Sequence, residues 1–139
     1  MSDVIELIEK DHREVEDLFA KFEASSDRSV AMQLCDELDR HAHAEERVVY
    51  PVIESDVPGG SEMANEATDE HKEARQLIGR IRNTTDPEHL VELVKELQDA
   101  ITHHVEEEES EVLPKTREAI STQRLDELGD EFEAAKQQQ

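Results

Sequence analysis

Cysteine occurs once in this chain and tryptophan never; aromatic residues make up 3% of the 139 positions, and glycine and proline contribute four each. A single cysteine, Cys35, cannot close an internal disulfide, so the fold is not stapled and a reducing cytoplasm suits it. So few glycines and prolines argue against a sheet protein built on tight turns and favour long amphipathic helices. Basic residues are also scarce, 15 against 37 acidic ones, for a net charge of −22. Such a surface repels phosphate backbones and anionic lipid alike, so nucleic acid and membrane are excluded as expected partners. Long apolar runs are absent, and the opening MSDVIELIEKDHREV has no basic stretch leading into one, so neither secretion nor a membrane span is expected and the cytoplasm is the expected location. The length suits one domain with one continuous core.

What is present is helical register. The first helix is expected from Ser2 or Asp3 to about Ala24, with Asp3 and Glu6 as a capping pair and Val4, Ile8, Val15, Phe19 and Phe22 as its apolar stripe. A second, from near Asp27 to near Asp56, carries Ala31, Leu34, Leu38, Val48 and Val52. Ser61 is the expected cap of a third, with Ala64, Ala67, Ala74, Ile78 and Ile81 inward and an end near Arg82. Asp86 and Pro87 start a fourth, striped by Leu90, Val94, Leu97, Ile101 and Val112. A short fifth helix, capped by Ser121, turns Leu125, Leu128, Phe132 and Ala135 to one side, and the terminal glutamines are expected to fray. The expected fold is all-α: an antiparallel up-down four-helix bundle over 1–118, with the fifth helix, within 119–139, packed on it.

The stripes are interrupted by polar residues in phase with the core. His12 fills the gap between Ile8 and Val15; His41 and Glu45 follow Leu38 at helical spacing; His71 lies between Ala67 and Ala74; His104 and Glu108 follow Ile101. His43 lies roughly 200° around the helix from His41, and His103 about 100° from His104, so both are expected at the rim or in water, as is His89 in a first helical turn. Within the run Glu106 to Glu109, Glu108 aligns best with His104; Glu111, close to the same line, is a supporting or rim candidate. His41, Glu45 and Pro51 match His104, Glu108 and Pro114 at a constant offset of 63 residues, and His12 matches His71 at 59. The chain therefore reads as two copies of a helix hairpin, each bringing one lone histidine and one His-x-x-x-Glu pair.

One inward histidine is ordinarily a hydrogen-bonded core residue. Six inward polar groups on four helices would each suffer desolvation, and cations ligated in common relieve it. Six nitrogen and oxygen donors are too many for one tetrahedral zinc, so two ions are expected; by ligand type iron, manganese and zinc all fit. A single Glu9-x-x-His12 is too little for a ferritin-like di-iron bundle, which needs that element twice. Cys35, beside Leu34, is expected as a small residue at the core edge with no redox role.

The series His12, His41-x-x-x-Glu45, His71, His104-x-x-x-Glu108, with Asp11 before His12, EE before VVYP, Glu70 before His71 and EE before EVLP, resembles the hemerythrin and HHE cation-binding family over roughly residues 1–118. That resemblance implies an oxo- or hydroxo-bridged pair of non-haem iron ions that binds dioxygen or reacts with hydrogen peroxide or nitric oxide. Oxygen carriers of the family have a further histidine where this chain has Arg75. One ligand fewer leaves coordination open and favours redox chemistry, as in the similar hemerythrin-like proteins of actinobacteria, for which catalase-like peroxide decomposition is implied. Tyr50 has two readings. A tyrosine supplies a donor in some relatives, but ideal helix geometry turns Tyr50 roughly 180° from His41, toward a packing role at a helix seam, unless Pro51 distorts the turn. The competing functions are catalase-like turnover and an iron, dioxygen or nitric oxide sensing or storage module; with no output domain in view, a stand-alone enzyme or gas binder is expected.

Overall fold

In the computed structural model, which describes residues 2–138, α1 spans Val4–Ser25. Asp3 caps it by accepting from the Glu6 N–H while Glu6 accepts from the Asp3 N–H, the expected reciprocal box. Helix α2 runs as Arg28–Ala44, widens into a π-helical turn over Glu45–Val49 and continues as Tyr50–Asp56. Helix α3 is Gly60–Asn83. Helix α4 repeats the plan of α2, as Pro87–Glu107, a π turn at Glu108–Val112, and Leu113–Ala119. Helix α5 is Thr122–Gln137, capped by the Ser121 side chain as anticipated. Gln137 closes that helix and Gln138 is a turn; the fraying expected at Gln139 falls outside the described residues. No strand occurs among the described residues.

Ser61 does not cap α3. The cap is Gly59, whose φ of 74° is cheap only for a residue without Cβ, and Ser61 lies within the first turn. Short connections at 26–27, 57–59 and 84–86 make successive helices antiparallel, and α1 to α4 close a square in which each touches the next. The fifth helix lies against α1 and α2. Its Gly129 permits that approach, since a Cβ there would stand 2.5 Å from the Ser2 carbonyl oxygen.

The apolar core is in two blocks. One, at the end holding Val4, Ile8, Ile53, Leu113 and Ile120, is completed by Leu125, Leu128 and Phe132 from α5. The other joins Val15, Phe19, Phe22, Leu34, Leu38, Ile78, Leu93 and Leu97. Cys35 is fully buried in this second block and not at its edge, and burial lifts its thiol to about 11, which leaves it a small apolar residue. Beyond the π turns both stripes move by one residue: Val49 and Ile53 are buried and Val48 and Val52 only partly, as Leu113 is buried and Val112 only partly. An ideal period cannot anticipate this, because each wide turn inserts a residue. A proline follows each turn, and its missing N–H and bulky ring are better accommodated in a widened helix.

Candidate metal centre

Between the two apolar blocks lies a layer formed by His12 from α1, His41 and Glu45 from α2, His71 from α3, and His104 and Glu108 from α4, all buried. The imidazoles fall into two pairs, His12 with His41 at 5.2 Å between ring centres and His71 with His104 at 4.9 Å. Each carboxylate reaches across both. Glu45 Oε1 lies 3.0 Å from His41 Nε2 and 3.3 Å from His71 Nε2. Glu108 Oε1 lies 3.1 Å from His12 Nε2, and its Oε2 3.4 Å from His104 Nε2. Single donor atoms of His12, His41, Glu45 and Glu108 gather within 4.8 Å of one another, as do those of Glu45, His71 and His104. Two positions able to hold a cation thus share Glu45.

The opposite nitrogen of every ring is anchored. His41 Nδ1 donates to Asp11 at 2.8 Å, His71 Nδ1 to Glu46 at 2.7 Å, His104 Nδ1 to Glu70 at 2.6 Å, and His12 Nδ1 to Glu109 at 2.6 Å. These four carboxylates form a closed circuit: α1 orients the histidine of α2, α2 that of α3, α3 that of α4, and α4 that of α1. A carboxylate accepting at Nδ1 fixes the ring and turns Nε2 inward, the arrangement that makes a histidine a good metal ligand. Sequence phase did not find these residues, although each sits immediately beside an inward residue: Asp11 before His12, Glu46 after Glu45, Glu70 before His71, Glu109 after Glu108. One residue is about 100° around a helix, enough to reach the neighbouring helix across the seam. Glu109 takes the supporting place for which Glu111 was a candidate; Glu111 is exposed at the rim.

Tyr50 departs from the phase expectation. Its backbone N–H bonds the Glu45 carbonyl, five residues back, so the π turn stacks Tyr50 directly after Glu45. The buried hydroxyl lies 3.1 Å from Glu45 Oε1, 2.9 Å from Glu108 Oε2 and 3.2 Å from His71 Nε2. Leu113 holds the corresponding place in the second hairpin, so only the His71–His104 side has this oxygen. Arg75 stays out of the layer, its exposed guanidinium 2.9 Å from Glu46. His43 is half-buried, and His89 and His103 are exposed, in keeping with their phase.

The chemistry of the donor set fits cations. Burial opposes charge on His41, but Glu45 and Asp11 outweigh it and raise its pKa to about 10. His104 is raised well above the usual range, burial again opposing and Glu108 prevailing. Burial likewise works to neutralise Glu108, yet His104 and His12 hold it well below an ordinary carboxylate. Burial and the two neighbouring carboxylates push Tyr50 far up, so its phenol is neutral unless a cation is beside it. Even so, His12 Nε2, His41 Nε2, His104 Nε2, Glu45 Oε2 and Glu108 Oε1 are buried without a hydrogen bond. Orphaned buried polar atoms are rare, and five facing one another fit a layer organised around positive ions.

A cavity of about 30 Å³ opens on the layer. His12, His41, His71 and His104 line it together with Val15, Leu38, Ala74, Ile78, Ile101 and Val105, and Asp39 and Arg75 are the charged residues on it. No helix among the described residues is long and apolar enough to cross a membrane.

Comparison with known proteins agrees with this geometry. A hemerythrin-like protein of Schizosaccharomyces pombe, itself uncharacterized, is 26% identical over 98% of this chain and 70% of its own length. A DNA nickase of Nostoc sp. is 31% identical over 94% of the chain; the match spans 38% of the nickase, so this chain covers well under half of that relative. A crystal structure of a hemerythrin HHE cation binding domain-containing protein from Mycobacterium kansasii superposes with a TM-score of 0.84, at 21% identity, over 99% of this chain and 87% of that one, which establishes the shared fold. The profile of the hemerythrin HHE cation binding domain matches residues 3–116, the whole stretch that supplies the layer, and the chain belongs to that family.

Proposed function

We propose that His12, His41, Glu45, His71, His104 and Glu108 would hold two iron ions, and that the protein decomposes hydrogen peroxide or a related small oxidant. The observation that carries this reading is the convergence of four carboxylate-anchored imidazoles and two orphaned carboxylates on one dry layer. Bound iron would supply the one-electron and oxygen chemistry that no side chain here provides.

The chain's own residues set the conditions. Asp11, Glu46, Glu70 and Glu109 keep the Nδ1 protons and hold each Nε2 toward the centre. The Tyr50 hydroxyl, within hydrogen-bond distance of Glu45 and Glu108, holds a proton between them and would be the further oxygen donor to a bound ion. The cavity, walled mainly by aliphatic side chains, suits a small uncharged guest. A peroxide assay on iron-loaded protein tests the proposal: oxygen should evolve over many turnovers. Tight iron binding without turnover would favour the second reading, a sensing or storage module for iron, dioxygen or nitric oxide, which rests on the same layer.

The net charge of −22 disfavours a nucleic-acid partner, so we do not extend the Nostoc relative's DNA nicking to this chain. We place the protein in the cytoplasm, where a lone buried thiol stays reduced.

A further inference from the structure

The four outer carboxylates differ in one respect. Glu109 is capped by Arg13 at 2.7 Å, Glu46 by Arg75 at 2.9 Å, and Asp11 by Lys136 at 2.7 Å. Glu70, at the seam of α3 and α4, is paired with no lysine or arginine among the described residues. Its neighbours are His103, whose Nε2 lies 3.7 Å from Glu70 Oε2 and 3.0 Å from Glu107 Oε1, and Glu107 itself. One ligand atom from each of Glu70, His103 and Glu107 falls within 4.8 Å of the others. A cleft whose acidic walls include Glu66 and Glu111 leads from this surface down to His104 and Glu108. Both end residues are at least nine-tenths buried, and His104 Nε2 and Glu108 Oε1 have no hydrogen-bond partner.

We propose that the α3–α4 seam is the port through which divalent cations reach the metal layer, with Glu70, His103 and Glu107 as an outer station that passes them to His104 and Glu108. The inference rests on the reading that the layer binds metal. At the other three seams an ammonium or guanidinium stands over the anchoring carboxylate and repels a dication. The apolar cavity also reaches the imidazoles, but Arg75 lines it and its one carboxylate, Asp39, is paired with Arg82 at 2.8 Å, so this route too carries a repelling cation. Among the four seams of the described residues, this one leads from surface carboxylates to His104 and Glu108 with no lysine or arginine over its anchoring carboxylate, and an acidic cleft concentrates cations at its mouth.

The test is Co²⁺ uptake by metal-free protein, timed by stopped-flow through the visible bands of the bound ion, with stoichiometry from an equilibrium titration. Glu107→Lys supplies the missing cap and should slow uptake about tenfold or more, while the number of ions finally held by the buried layer, of which Glu107 is no part, stays the same. Glu23→Lys makes the same charge change on an exposed site at the far end of α1 and should stay within about twofold. Should Glu107→Lys not fold, as judged by helical circular dichroism, Glu66→Lys on the facing wall gives the same readout. Equal slowing by the seam and control variants, or none by either, overturns the port while leaving metal binding intact. Failure of the unaltered protein to bind Co²⁺ overturns both.

Discussion

Replacing Tyr50 by phenylalanine removes one oxygen and almost no volume, so it isolates what that hydroxyl does. In the metal-free protein the phenol donates its single proton among Glu45 Oε1 and Glu108 Oε2, two buried carboxylate oxygens 3.1 and 2.9 Å away. A hydrogen bond to a charged group is worth about 1.5–3 kcal/mol, and the oxygens left behind have no water to turn to. At a few degrees per kcal/mol for a domain this size, the metal-free variant should melt roughly 5–10 °C lower. In the iron-loaded protein the proposed ions would satisfy those oxygens and the penalty should shrink. If the phenolate coordinates, loaded wild type should also show a phenolate-to-iron charge-transfer band that the variant lacks. Because Leu113 takes the equivalent place in the other hairpin, the loss should fall on one ion, weakening one step of a two-step binding isotherm. Calorimetry of both forms and a metal titration make the comparison. Equal melting temperatures of metal-free wild type and variant would refute the placement of Tyr50 in the layer.

Other outcomes follow from the same geometry. In metal-free protein the folded state keeps protons on His41, at about 10 against an ordinary 6.5, and on His71 and His104, that the unfolded chain gives up. This stabilisation is complete below pH 6.5 and fades toward pH 10, whereas that from the lowered Glu45 and Glu108 is present above 4.5 and fades as pH falls. Denaturant midpoints should therefore decline from pH 6.5 to 9, while metal affinity rises over that range as cations displace the same protons; a midpoint that rises instead would contradict the assignment. Glu109→Gln, which weakens the anchor of His12, should lower affinity for one ion about 10–100-fold in a competition titration and leave the other near its original value. His71→Ala should lose one of two ions by metal analysis, and His43→Ala neither; equal losses would break the distinction between inward and rim histidines.

Much of the bundle was legible because its polar layer interrupts stripes that are otherwise regular. His12, His41, Glu45, His71, His104 and Glu108 lie upstream of any distortion in their helices, so an ideal period placed them inward, as the structure does. The period failed after Glu45 and Glu108, where the π turns advance the buried positions by one and bring Tyr50 beneath the layer. Pro51 and Pro114 marked both places, but a proline signals a disturbed ladder without saying whether the helix kinks, ends or widens. The anchoring carboxylates escaped for another reason. Asp11, Glu46, Glu70 and Glu109 serve histidines on neighbouring helices, 25 to 97 residues away in sequence, and single-helix phase carries no information about a seam. Their adjacency to inward residues was visible in the sequence, but it gained meaning only once the helices closed into a square.

Metal analysis of the purified protein, with its optical spectrum and its unfolding curve before and after chelation, tests the central claim most directly. Two iron ions per chain, oxo-to-iron charge-transfer bands and a lower melting temperature once the metal is removed are the results predicted. A stably folded, fully helical protein that yields no transition metal and whose unfolding ignores chelators would contradict it.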